Sequence, residues 1–184
     1  MAITIKPAHE IGDDEILRLS NDNPGLQFER DRDGRLIVTP TGGEGGRRSG
    51  EVFAQLYNWA RAGNFGPVFD SSTGFHLPDG SVRSPDASWA SEEQWRSFRD
   101  SNDSFPPVCP DVVFELRSNS DSMEQLREKM RAYAANGCKL GVLIDADAKS
   151  IELYLPGAAA EQHDYVAITL SELPGFTLNP NELD

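Results

Sequence analysis

Polar and apolar positions alternate along this chain in a way that changes period several times. Residues 26–30 and 35–39 alternate like strands around Asp33-Gly34, a pair that favours a tight hairpin turn. Before them, 14–19 read as a short helix. After them, the glycine-rich stretch 41–46 reads as a loop. From 48 to 61, Val52, Phe53, Leu56, Tyr57 and Ala60 recur at helical spacing, so one face of that helix belongs to the core. Residues 68–77 and 82–90 read as strands around the turn Pro78-Asp79-Gly80. A polar stretch, 91–104, predicts a short helix and a surface loop ending in Pro106-Pro107. Residues 111–116 form a compact apolar run typical of a central strand. The clearest helix is 121–136, with Met123, Leu126, Met130, Tyr133 and Ala134 facing inward and Gly137 as its stop. Strands at 140–145 and 151–155 follow. This order predicts an α/β (mixed α+β) fold, a mixed central sheet flanked by helices, within one domain spanning 1–184.

Composition narrows the class. A chain of 184 residues, 38% hydrophobic and 26% charged, can bury a sizeable core and has the balance of a water-soluble globule. No apolar run approaches the roughly 18 residues a membrane span needs. The first 14 residues lack the basic and apolar regions of a signal peptide, so a cytoplasmic location is expected. Cys109 and Cys138 have no CxxC spacing and read as two reduced, partly buried thiols. The net charge of −13 counts against tight binding to DNA phosphates, although a local basic strip is compatible with it.

Three positions combine into candidate chemistry. Asp86 follows Pro85 on a predicted strand, Glu115 ends the strand of Val112, Val113 and Phe114, and Lys129 lies on the next helix. Two carboxylates from neighbouring strands suit magnesium, which takes a few carboxylate oxygens and waters. A nearby lysine can orient or help deprotonate an attacking water. At about 100° per residue, Lys129 falls roughly 40° to the side of Tyr133, where its long side chain can pass the core edge. Gln125 borders the same edge. Each residue also has a plainer role: Asp86 as a turn acid, Glu115 in a structural ion pair with Arg117 or Lys129, Lys129 as a solvated helix lysine. Elsewhere the signals are weaker. Gly42, Gly43, Gly45 and Gly46 are not followed by Gly-Lys-Ser/Thr, so no P-loop is expected. Arg47 and Arg48 at a helix start suit phosphate but are more often surface arginines. His9, His76 and His163 lack metal-ligand spacing, no Gly-x-Ser-x-Gly elbow occurs, and Glu51 lies opposite its helix's apolar stripe.

The runs Arg83-Ser84-Pro85-Asp86-Ala87-Ser88-Trp89 and Cys109-Pro110-Asp111-Val112-Val113-Phe114-Glu115-Leu116-Arg117-Ser118 resemble the Uma-two family of restriction-type endonucleases, a bacterial domain abundant in cyanobacteria. So do Asp121-Ser122-Met123, Lys129-Met130-Arg131-Ala132-Tyr133, Asn136-Gly137 and Leu143-Ile144-Asp145. The likeness extends over residues 28–154 and includes Thr41-Gly42-Gly43-Glu44 and 69–75. The resemblance implies a restriction-endonuclease-like PD-(D/E)XK fold with a metal site at one sheet edge. It implies Asp86 and Glu115 as ligands of Mg2+ or Mn2+, with the Leu116 carbonyl completing the set, and DNA as substrate. The position two after Glu115 is Arg117 rather than lysine, which makes Lys129 the substitute; Arg117 would act only electrostatically. Glu29 and Glu51 are conceivable further ligands, and a homodimer follows by analogy with proteins of this core. Two rivals remain at this stage: a catalytically inactive nuclease-fold binding or regulatory module, and a metal-dependent hydrolase of another phosphodiester. A basic groove beside the acidic pair favours the nuclease; a uniformly acidic rim favours the rivals.

Overall fold

The computed structural model describes residues 2–119 and 121–184. The chain opens with strand β1 (Ile3–Ile5), helix α1 (Asp13–Asp22) and the hairpin β2 (Leu26–Arg30) and β3 (Leu36–Pro40). Gly34 closes the hairpin at φ +76°, and Asp31 braces it by accepting the amides of Asp33 and Arg35. Helix α2 (Gly43–Gly63) then starts earlier than its sequence predicts. The glycine-rich segment expected as a loop forms its first turns. Gly46 N–H reaches Gly42 O, Ser49 Oγ reaches Gly45 O, and Glu44 pairs with Arg47 and Arg48 one turn on. Packing of Val52, Leu56 and Ala60 into the core outweighs the entropy cost of the glycines.

The two long strands expected across 68–90 are each broken. They become β4 (Val68–Asp70), β5 (Phe75–His76), β6 (Val82–Arg83) and β7 (Ala87–Trp89). Asp70 caps a turn by accepting from Ser72 N–H and Oγ, and Pro85, which has no N–H to give a ladder, interrupts the return arm. Pro85-Asp86 therefore lies in the connection between β6 and β7 rather than on a strand. The break lets one segment serve two sheets. Helix α3 (Glu92–Phe98) follows, capped by Ser91. Next come β8 (Val112–Leu116), α4 (Met123–Ala135), β9 (Leu140–Asp145) and β10 (Ser150–Tyr154). Strand β11 (Glu161–Asp164), the ribbon β12 (Ile168–Thr169) with β13 (Thr177–Leu178), and a final 3-10 turn (Pro180–Leu183) complete the chain.

Among the described residues one sheet has the order β1-β3-β2-β6-β5 and the other β11-β10-β9-β8-β7-β4. Within the larger sheet only β8 and β9 run parallel, and α4 makes the crossover between them. Its two faces bury separate cores. Val112, Phe114 and Leu116 of β8 pack with Val52 and Leu56 of α2, while Val113 packs with Met130 and Tyr133 of α4. Glu115 emerges on that second face. Cys109 and Cys138 are buried free thiols. No helix among the described residues is long and apolar enough to cross a membrane.

Gly66, between α2 and β4, has φ +111°, and a Cβ there would lie 2.4 Å from the Ala90 carbonyl oxygen. Gly66→Ala is expected to cost about 3 kcal/mol through strain and displaced backbone, read as a lowered urea midpoint with unchanged slope.

Candidate active site

The parallel ladder orients the first acid. Arg117 N–H goes to Ile144 O, so the preceding amide, that of Leu116, turns the other way and donates to Asp86 Oδ2 at 2.7 Å. Ser49 of α2 donates to the other oxygen at 3.1 Å. Asp86 is thus fixed although it lies off the strand. Glu115 is 4% exposed, and its Oε1 accepts from Tyr133 Oη at 3.0 Å and from Lys129 Nζ at 2.7 Å. Its Oε2 accepts no hydrogen bond from the described residues. Lys129, Asp86, Glu115 and Leu116 line one groove of about 1470 Å³, and Gln125 lines it too.

Lys129 also binds a residue from the smaller sheet. Its ammonium is 2.9 Å from Glu29 Oε1, which accepts the Ser84 amide at 2.6 Å as well, while Glu29 Oε2 accepts from Arg83 at 3.3 Å. The site therefore holds three carboxylates against two cations. Burial alone would raise Glu29, but Lys129, Arg83 and the Ser84 amide outweigh it and hold Glu29 below the usual carboxylate range. Glu115 has only a share of Lys129 and faces two other acids. Burial foremost, with Asp86 and Glu29, pushes it up to about 8. Asp86 opens partly to the groove, yet desolvation still raises its carboxyl. Burial opposes charge on Lys129, but Glu115 and Glu29 overcome that and keep it protonated. One ammonium contacts both acids but neutralises only one charge, so Glu29, with its extra donors, is the more easily ionised and Glu115 the more easily protonated.

The donor set suits a divalent cation. Asp86 and Glu115 each carry raised affinity for positive charge, and Glu115 Oε2 has a free coordination side. Among the described residues no three His, Cys, Asp or Glu side chains form a ready-made metal cage. Magnesium does not need one, since it is commonly held by one or two carboxylates with waters and substrate phosphates completing the shell.

Of the residues singled out by sequence, Asp86, Glu115 and Lys129 come together. Arg117 does not join them: its guanidinium pairs with Asp145 at 2.7 Å. Glu51 is half-buried on α2 and lies outside the groove. Arg47 pairs with Glu44, and Arg48 with Glu44 and Asp147. Ser49, Arg83 and Tyr133 adjoin these side chains, a grouping that sequence reasoning did not make, and Glu29, considered as a further ligand, pairs with Lys129 and Arg83. Glu29 follows the buried Phe28 on an alternating strand, which reads as a solvent-facing position until α4 brings Lys129 against it.

The groove concentrates the chain's positive charge. Seven Lys/Arg and nine Asp/Glu line it, a net of −2 out of the chain's −13. Arg32 and Arg131 are exposed on its rim and make no ion pair with the described residues.

A family model described as "Uma2: Putative restriction endonuclease" matches residues 13–181. No curated protein matches. A crystal structure described as "a putative nuclease belonging to DUF820", from Anabaena variabilis, is similar at 20% identity with a TM-score of 0.76. The match covers 94% of this chain and 97% of that one. At that identity the likeness shows the fold: a mixed sheet flanked by helices, of the restriction-endonuclease-like kind.

Proposed function

Because the chain belongs to the Uma2 restriction endonuclease family, we propose that it is a divalent-metal-dependent endodeoxyribonuclease acting through a PD-(D/E)XK-type site. The observation that carries this reading is the convergence of Asp86, Glu115 and Lys129 on a groove in which seven basic side chains offset all but two of nine acids, in a chain of net charge −13. Asp86 and Glu115 are the metal ligands, with the Leu116 carbonyl as the third. Magnesium or manganese held there supplies positive charge for the phosphate under attack and acidifies an attacking water. Lys129 stays charged at neutral pH, so it acts as a hydrogen-bond donor that positions the water or a phosphate oxygen, not as the base. Tyr133 fixes Glu115 through Oε1 and leaves Oε2 for ligation. Arg32 and Arg131 give DNA phosphates their first contacts on the rim. Cleaving both strands of a duplex calls for two copies of the site, hence a homodimer on DNA.

The test is calorimetric titration of Mg2+ and Mn2+ into wild type, Asp86→Ala and Glu115→Ala, followed by plasmid nicking with the same samples. Wild type is expected to bind metal and nick, and each variant to lose both, by about 100-fold or more in rate. Absence of metal binding at millimolar concentration makes the acids structural and favours the inactive binding module. Metal binding with no cleavage of DNA, but hydrolysis of a small phosphodiester, favours the other rival.

A further inference from the structure

We propose that Glu29 is the positioning residue that holds the Lys129 ammonium in the site when a cation occupies the neighbouring carboxylates; this rests on the nuclease reading above. Glu115 alone cannot do that. Once Asp86 and Glu115 take up a divalent cation, Glu115 attracts Lys129 less and the cation repels it. Glu29 is the second partner, 2.9 Å from Nζ, on a strand of the other sheet. Its place is itself fixed, by the Ser84 amide at 2.6 Å on Oε1 and Arg83 at 3.3 Å on Oε2. Ser84 touches both members of the pair, since its carbonyl accepts from Lys129 at 3.3 Å. With both oxygens committed and the side chain 7% exposed, Glu29 serves as the lysine's anchor in preference to a third metal ligand.

The anchor has its own signature. In wild type, with and without Mg2+, the Lys129 ammonium is expected as a slowly exchanging signal in 15N-lysine NMR, assigned by its loss in Lys129→Met. Glu29→Gln is expected to abolish the signal in Mg2+ and to lower kcat about 10- to 100-fold. KM for DNA should stay within about twofold of wild type, with Mg2+ saturating both proteins. In a Lys129→Met background the same change should have no further effect on kcat, because both act through one ammonium. Glu29→Gln leaves Arg83 buried beside a neutral group, so the double variant Glu29→Gln/Arg83→Gln is measured alongside; it removes the stranded charge and should show the same loss. A kcat within twofold of wild type, a retained ammonium signal, or independent losses in the Lys129→Met background overturns the proposal while leaving the nuclease reading intact. If wild type neither binds Mg2+ nor nicks plasmid, the nuclease reading has failed, and Glu29–Lys129 is a structural ion pair only.

Discussion

Replacing Lys129 with methionine is expected to reduce plasmid nicking by about 100- to 1000-fold and to destabilise the metal-free protein by about 3 kcal/mol. On the proposed function, the first loss follows from removing the charged donor beside the phosphate. The second follows from what stays behind. Glu29 keeps Arg83 and the Ser84 amide, but Glu115 keeps only Tyr133, and three acids then face one cation. Removing one member of a buried ion pair leaves a desolvated charge, which costs more than the pair itself contributes. Divalent metal should restore much of the stability, since it supplies the missing charge, but none of the nicking. Lys129→Arg should not rescue nicking, because a planar guanidinium does not fit where a compact ammonium, 14% exposed, touches Glu29, Glu115 and Ser84 at once. Urea melts with and without Mg2+, paired with single-turnover nicking, measure both effects. Nicking by Lys129→Met within twofold of wild type counts against any part for this lysine.

The second large effect concerns pH. In chelator, the protein is expected to lose stability as pH rises from about 4.5 to about 8, the interval over which folded Glu115 retains a proton that the unfolded chain has released. Its folded pKa is raised, so the folded state binds more protons there and its contribution is complete below the lower value and gone above the upper one. Asp86, also raised by burial, acts in the same direction. Glu29, held low by its cations, acts oppositely and protects only above its unfolded value. The net change is on the order of a few kcal/mol. Glu115→Gln should flatten the slope and be the more stable protein at pH 8. Magnesium should bind wild type more tightly as pH rises, releasing the Glu115 proton, and should leave the midpoints of Glu115→Gln unchanged at every pH, because that variant lacks the ligand. Denaturation midpoints from pH 5 to 8.5 in chelator and in Mg2+ decide it; a flat or rising wild-type profile in chelator overturns the account of Glu115.

Much of the fold was legible because its elements carry strong periodicity. The strand at 140–145 agrees with Leu140–Asp145, and the helix at 121–136 differs from Met123–Ala135 only by its caps. The early start of α2 was hidden because glycine signals a loop locally, whereas Glu44 and the packed stripe downstream extend the helix through it. The division of 68–90 between two sheets was hidden for a related reason. Alternation reveals that a strand exists but not which neighbour it joins. Glu115 could be singled out because a charge in an apolar strand needs a partner, and Asp86 and Lys129 because their elements adjoin that strand in the chain. Glu29, Arg83 and Ser49 could not be placed with them, since each reaches the groove from an element distant in sequence.

The alternation of β8 has a consequence for folding fidelity. Phe114 and Leu116 belong to the α2 core and Glu115 to the opposite face. A slip of one residue against β9 would exchange them. It would press a carboxylate among Val52, Leu56 and Val142, and aim Phe114 at Lys129 and Tyr133. The α2 side offers no partner for a carboxylate, so a mispaired sheet forfeits several kcal/mol there. Glu115 therefore proofreads the strand pairing of the molecule, whatever the groove binds.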